Sequence, residues 1–311
     1  MRAWQFEGRG KPIALNEIPE PAAGPGEVVI DVQAAGLCHS DLMYMELGEG
    51  VMPFLPMTQG HENAGVISAI GEGVEGWAVG DLVGVNSAGE RPPLGMFTPG
   101  GFADKLVANA ADLARVPEGL GPELAAIATD AGMTSYHAVM VTGGAAAGMK
   151  VGIIGYGGLG QIGTRAAVLA GAEVHVAELK HDVWDLAKAA GVADVVEDAA
   201  AWKGQGFDLV VDYAGFDTTQ KAIDAIRPGG TAVQVGLGKP TFTVVTNTLL
   251  GKNLRGSLGG TVADIEEVFR LLLAREIEPA YTVIGFDEIG EGLERLRRGE
   301  VTGRLVARVA G

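Results

Sequence analysis

The sequence predicts an α/β protein with a β-rich first domain and a second domain built on a doubly wound parallel sheet. Three observations carry this. Short β-branched runs broken by glycine dominate residues 1–128. From about Gly148, apolar strands alternate with helical segments. A glycine-rich turn joins the first of those strands to the first of those helices.

In the first region "EVVIDVQAAG" and "NAGVISAIGEGVEGWAVGDLVGV" read as strands and turns of a barrel or sandwich, and "PEPAAGPGE" as a turn connection. The second region opens with the strand "KVGII" and the helix "LGQIGTRAAVLAGA", followed by the strand "EVHVAEL" and the helix "VWDLAKAAGV". "DLVVDYAG", "TQKAIDAIRPGG", "TAVQVGL" and "LRGSLGG" continue the alternation. Strands this uniformly apolar are buried on both faces, which requires a parallel sheet with helices on each side. Two amphipathic helices, "ADIEEVFRLLLARE" and "FDEIGEGLERLRRGE", and a last strand "RLVARV" complete the chain.

The 311 residues suffice for two domains with their own cores. Glycine, at 49 residues, is about twice its usual share, as in structures with many tight turns and close backbone approaches. A net charge of −16 disfavours nucleic-acid and anionic-membrane partners, which an acidic surface repels. The single cysteine cannot form an intrachain disulfide, the N-terminus lacks the apolar core of a secretion signal, and no run is long enough to span a membrane. A cytoplasmic protein is expected.

"GYGGLG" places Gly155, Gly157 and Gly160 in a G-x-G-x-x-G pattern, with Gly158 between them. It follows a strand and opens a helix, the setting in which glycines let backbone approach a pyrophosphate at a helix N-terminus. Glu178 ends the next strand, eighteen residues after Gly160. An acid there accepts hydrogen bonds from ribose hydroxyls and repels a 2′-phosphate, so NAD is favoured over NADP. A solvated strand-end residue is the competing reading of Glu178.

Cys38, in "AGLCHSDL", is followed by His61 in "GHEN" and Asp130 in "TDAG". Thiolate, imidazole and carboxylate together bind Zn²⁺ tetrahedrally with a fourth position open, the pattern of a catalytic metal. Their spacing alone does not decide between that site and an inert buried cysteine with a structural histidine.

"AGLCHSDL", "GHENAG", "VGDLVGV", "GGFADKLV", "TDAGMTSYHAV" and "GYGGLGQIG", in this order, resemble the zinc-dependent medium-chain dehydrogenases, in particular bacterial secondary-alcohol dehydrogenases with an aspartate ligand. The resemblance implies a GroES-like catalytic domain over residues 1–128 and 265–311, a Rossmann coenzyme domain over 129–264, and an active site in the cleft between them. It makes Cys38, His61 and Asp130 the ligands of one zinc ion. Glu62 takes the place of a neighbouring glutamate that is sometimes an alternate ligand, and Asp41 orients His61. Ser40 receives the alcohol proton. Thr134 and Leu159 pack the nicotinamide, and His39 and Arg304 approach the pyrophosphate. The implied partners are a small alcohol or carbonyl substrate and further copies of the chain, as a homodimer or homotetramer joined through edge strands near Leu254–Leu258.

The chain departs from the family pattern twice. Residues 86–100 hold no cysteine where the family has a second, four-cysteine zinc lobe, so that structural zinc is excluded. Met43 stands where many members have a proton-carrying histidine. Met43, Tyr44, Met45 and Trp77 are candidates for an apolar pocket lining or plain core. The expected activity is NAD-linked oxidation of an alcohol, secondary alcohols favoured. The alternatives are reduction of a polarised C=C or C=N bond, and non-catalytic nucleotide binding.

Overall fold

The apolar strands of the second region pair as their composition dictates. In the structure, a computed structural model describing residues 1–89 and 92–309, Lys150–Ile154 is buried along almost its whole length. It lies inside a six-stranded sheet whose neighbours all run parallel. The order across that sheet is Asp194–Val196, Glu173–Ala177, Lys150–Ile154, Phe207–Asp212, Ile226–Gln234, Asn253–Gly256. The winding therefore reverses between Glu173–Ala177 and Phe207–Asp212, and the carboxyl end of Lys150–Ile154 lies at the switch point, where open α/β sheets bind ligands. "TQKAIDAIRPGG" is helical only over Thr219–Ala225, and the next strand already begins at Ile226. Proline at 228 and glycines at 229 and 230 cannot continue the helix.

The chain forms two compact units. One holds Thr134–Gly259 and Arg275–Ala280, and contains the parallel sheet. The other holds Met1–Met133, Gly260–Ala274 and the chain from Tyr281. Its seven-stranded sheet is centred on the long strand Glu27–Leu37, which pairs with Glu62–Ile70, Lys105–Asn109 and Arg304–Arg308, all antiparallel. Ile30, Leu37, Ile67, Phe102, Leu293 and Leu305 belong to the core beneath it. Among the described residues no helix is long and apolar enough to cross a membrane.

Sequence patterning misses one element that matters. His39–Leu47 is a helix, although its region reads as strand and turn. Only Asp41, Leu42 and Met45 are buried along it, so it offers no broad apolar stripe to recognise. Helix Val262–Leu273, by contrast, is legible at both levels. Thr261 Oγ1 accepts from the Asp264 amide at 3.2 Å, Asp264 Oδ2 accepts from the Thr261 amide at 2.8 Å, and Ile265, Val268, Phe269 and Leu272 are buried at helical spacing.

Candidate metal and nucleotide sites

Strand Glu27–Leu37 is followed directly by Cys38, the residue that caps helix His39–Leu47. The cap is closed by Asp41, whose Oδ2 accepts from the Cys38 amide at 2.9 Å. Asp41 is fully buried, and its Oδ1 lies 2.8 Å from His61 Nδ1. That contact places the Nδ1 proton on the Asp41 side and turns Nε2 inward. His61 immediately precedes strand Glu62–Ile70, so its position follows from that strand's pairing with Glu27–Leu37.

Asp130 arrives by another route. Residues Ala128–Gly132 form a π-helical turn, a wide turn often found at functional positions. Thr129 ties it down: its hydroxyl donates to Ala126 O at 2.7 Å and accepts from the Asn63 amide at 3.1 Å. The turn carrying Asp130 is thereby anchored next to the strand that follows His61. Asp130 Oδ2 lies 3.4 Å from His61 Nε2.

One ligand atom each from Cys38, His61 and Asp130 lies within 4.8 Å of the others. The donor set fits zinc. Zn–N and Zn–O bonds of about 2.0–2.2 Å at a tetrahedral angle put the two donors about 3.4 Å apart, which is the observed His61–Asp130 separation. Ser40 Oγ, in the first helical turn, lies 3.6 Å from Cys38 Sγ.

The electrostatics are those of a dense buried cluster. Burial works against charge on His61, but Asp41 and Asp130 outweigh it and hold the imidazole well above its ordinary value. Burial alone would raise Asp130, yet His61 and Arg304 keep it well below the usual carboxylate range. Glu62 is pushed up to about 7 by burial, against the pull of Arg304.

Arg304 stands in this cluster, only 4% exposed. Its Nε donates to Glu62 Oε2 at 2.9 Å, its Nη2 also reaches that oxygen, and Nη2 donates to Asp130 Oδ2 at 2.9 Å. Arg304 is thus a buried cation, and its partners in this structure are carboxylates. Strands Arg304–Arg308 and Glu62–Ile70 flank Glu27–Leu37 on opposite sides, and Gly36 stands in register with both Glu62 and Val306. A Cβ on Gly36 would sit 2.1 Å from Glu62 Oε1, so only glycine leaves room for that carboxylate.

In the other unit the glycine turn has the geometry its pattern implies. Gly155 has φ +88°, a left-handed conformation, and a Cβ on Gly160 would lie 1.9 Å from Gly155 O. Space around Gly157 is open, with nothing within 4 Å of a Cβ built there, and helix Gly158–Leu169 begins directly after it. The Glu178 carboxylate accepts from the Tyr156 amide at 2.6 Å and the Lys180 amide at 2.8 Å, so it is held against the turn rather than loose in solvent. A turn with open space at Gly157, a helix N-terminus directly after it and a pinned acid fit a dinucleotide. Leu159 is half-buried, and its carbonyl accepts from Ser135 Oγ at 2.8 Å, next to the buried Thr134.

His39 is exposed at the start of its helix. Trp77 packs against the core of its unit. Its indole donates to Ala110 O at 3.2 Å and the Arg115 guanidinium stacks 4.6 Å over its ring. Met45 is core, whereas Tyr44 packs 6.0 Å, ring centre to ring centre, from His61. Sequence reasoning overlooked Gly36 and Thr129. Only Thr129 carried a signal, as the hydroxyl residue directly before Asp130.

Known proteins bear on both sites. Residues 24–118 match the family model of the alcohol dehydrogenase GroES-like domain, and 158–274 that of the zinc-binding dehydrogenases. An alcohol dehydrogenase of Geobacillus stearothermophilus is 32% identical, covering 99% of this chain and 100% of its own. Acetophenone reductase from Geotrichum candidum, solved in complex with NAD, superposes with a TM-score of 0.90 at 30% identity, over 99% of this chain and 97% of its own. A thermostable alcohol dehydrogenase of Pyrobaculum aerophilum, with cobalt and zinc bound, gives 0.87 at 27% identity over 99% of each chain.

Proposed function

This chain belongs to the zinc-dependent medium-chain dehydrogenase family, and within it we propose an alcohol dehydrogenase that moves a hydride between NAD and an alcohol, secondary alcohols favoured, or the corresponding ketone or aldehyde. The observation that carries the reading is the convergence of Cys38, His61 and Asp130, with His61 oriented by Asp41. The site takes one zinc ion on these three side chains and leaves a fourth position for substrate oxygen. When bound, zinc supplies Lewis acidity toward that oxygen, and the nicotinamide accepts or returns the hydride.

The chain's own residues do the rest. Asp41 keeps the His61 Nδ1 proton in place and so keeps Nε2 free to ligate. Ser40, beside Cys38, takes the proton from the alcohol at Oγ and passes its own to water, since Met43 cannot carry one. Gly155, Gly157, Gly158 and Gly160 bring backbone up to the pyrophosphate. Glu178 binds the adenosine ribose and selects NAD.

Assembly belongs to the same proposal. Asn253–Gly256 ends the path of its sheet, and the nearby Leu258 is 85% exposed. Pairing of this edge with a second copy would cover both.

Metal analysis together with NADH formation across secondary and primary alcohols tests the assignment. About one zinc per chain and alcohol-dependent NADH supports it; a zinc-free active enzyme sinks it. Met43 favours one second reading, reduction of a polarised C=C or C=N bond. NADH oxidation by conjugated enals without alcohol turnover would select that one.

A further inference from the structure

Asp212 closes strand Phe207–Asp212 as a fully buried carboxylate whose hydrogen bonds all come from neutral donors. Oδ1 accepts from the Ala214 and Gly215 amides, each at 3.0 Å. Thr218 Oγ1 reaches both oxygens, at 2.9 and 2.7 Å, and Thr219 Oγ1 donates to Oδ2 at 2.9 Å. We propose that Asp212 is a positioning residue for the nicotinamide half of NAD, locking the turns after two strands to the glycine turn. The inference rests on the NAD reading of that turn and of Glu178.

Three turns meet at the carboxyl edge of the parallel sheet. Asp212 stands in register with Ile154, and the Tyr213 amide donates to Ile154 O at 3.0 Å. The turn after Asp212 therefore runs beside the glycine turn, where a Cβ built on Gly155 would touch Ala214 at 3.7 Å. On the other side the Asp212 carbonyl accepts from the Val235 and Gly236 amides, both at 3.0 Å. There the turns touch backbone to backbone: a Cβ on Gly215 would collide with Gly236 O, and one on Gly236 with Tyr213 O.

Strand order gives the direction in which the coenzyme runs. Glu178 directly follows Glu173–Ala177, on one side of Lys150–Ile154, and takes the adenosine ribose. With the pyrophosphate at the glycine turn, the second nucleotide extends to the opposite side, over the ends of Phe207–Asp212 and Ile226–Gln234. Those are the ends that Asp212 ties together. A buried charge held only by neutral donors is stable while they stay in place, because losing one leaves the anion short of a partner. The carboxylate thus keeps Tyr213–Gly215 in one conformation. Hydride transfer needs the nicotinamide ring at a fixed place, so this rigidity serves the reactive half of the coenzyme.

The test measures NAD and ADP-ribose binding by calorimetry, without substrate and so without turnover. ADP-ribose keeps the adenosine and pyrophosphate but lacks the nicotinamide. In Asp212→Ala, NAD should bind about tenfold more weakly, whereas ADP-ribose affinity should stay within about twofold of wild type. Asp212→Asn should recover most of the NAD affinity. Its oxygen still accepts from the two amides, and its nitrogen can donate to threonine hydroxyls turned to accept. If Asp212→Ala does not fold, Thr218→Val decides the matter. It removes the hydroxyl that reaches both oxygens, and should weaken NAD about threefold at unchanged ADP-ribose affinity. Equal losses for NAD and ADP-ribose in a folded variant overturn the inference, since they would mean that Asp212 supports the whole unit. Unchanged NAD affinity in that variant overturns it as well. Wild-type protein that binds neither ligand overturns the NAD reading, and the inference with it.

Discussion

Asp41 lies 2.8 Å from His61 Nδ1 and, through its second oxygen, 2.9 Å from the Cys38 amide. One carboxylate therefore sets the orientation of two of the three proposed ligands. Asp41→Ala is expected to weaken zinc binding about 10–100-fold, the usual cost of removing such a support, and to destabilise the helix start by about 1 kcal/mol. Competition with a chromophoric chelator measures the first and urea unfolding the second. Wild-type zinc affinity in this variant would show that His61 needs no such orientation.

Zinc uptake should release protons. In the metal-free protein His61 is held above its ordinary value, burial being outweighed by Asp41 and Asp130, so a proton competes with the metal for the ring. Apparent zinc affinity should rise with pH until the imidazolium is gone. Stability without metal runs the other way. His61 and Glu62 both have raised folded-state values, so their contribution is present at low pH and is lost as pH rises, for Glu62 from its ordinary 4.5 through about 7. Melting temperatures of metal-free protein should fall between about pH 5 and pH 8, less so in Glu62→Gln. A flat profile in the parent would contradict this.

Gly36→Ala tests the packing against Glu62. The new Cβ would meet Oε1 at 2.1 Å, and strand pairing on both sides prevents the backbone from yielding. A loss of about 1–3 kcal/mol is expected in denaturant unfolding, as for other overpacked core positions. Combining it with Glu62→Ala should return most of that loss.

If Glu178 binds the ribose as proposed, Glu178→Ala should raise the KM for NAD about tenfold and narrow the proposed preference over NADP, because it removes a charged acceptor. The side chain is pinned by the Tyr156 and Lys180 amides. Initial rates with both coenzymes measure the effect, and an unaltered ratio would remove Glu178 from coenzyme selection.

Leu258→Glu should shift the protein toward a smaller species in light scattering, since a charge beside an unpaired strand edge opposes edge-to-edge association. A monomeric parent protein would end the assembly proposal directly.

The turn "GYGGLG", the apolar strand before it and the residue types of the metal set were legible in the chain, because each depends on local pattern: glycine conformation, burial on both faces, donor chemistry. Helix His39–Leu47 was not, for lack of an apolar stripe. What only the tertiary structure decided is the company those residues keep. Arg304 meets Asp130 across 174 residues and Glu62 across 242, by way of strand register and a π-helical turn. Nothing in the neighbourhood of Arg304 distinguishes a buried fork from a surface cation. Gly36, too, reads as one glycine among 49 until the Glu62 carboxylate is seen resting against it. Local pattern specifies what a residue can do; long-range register specifies which partner it does it with.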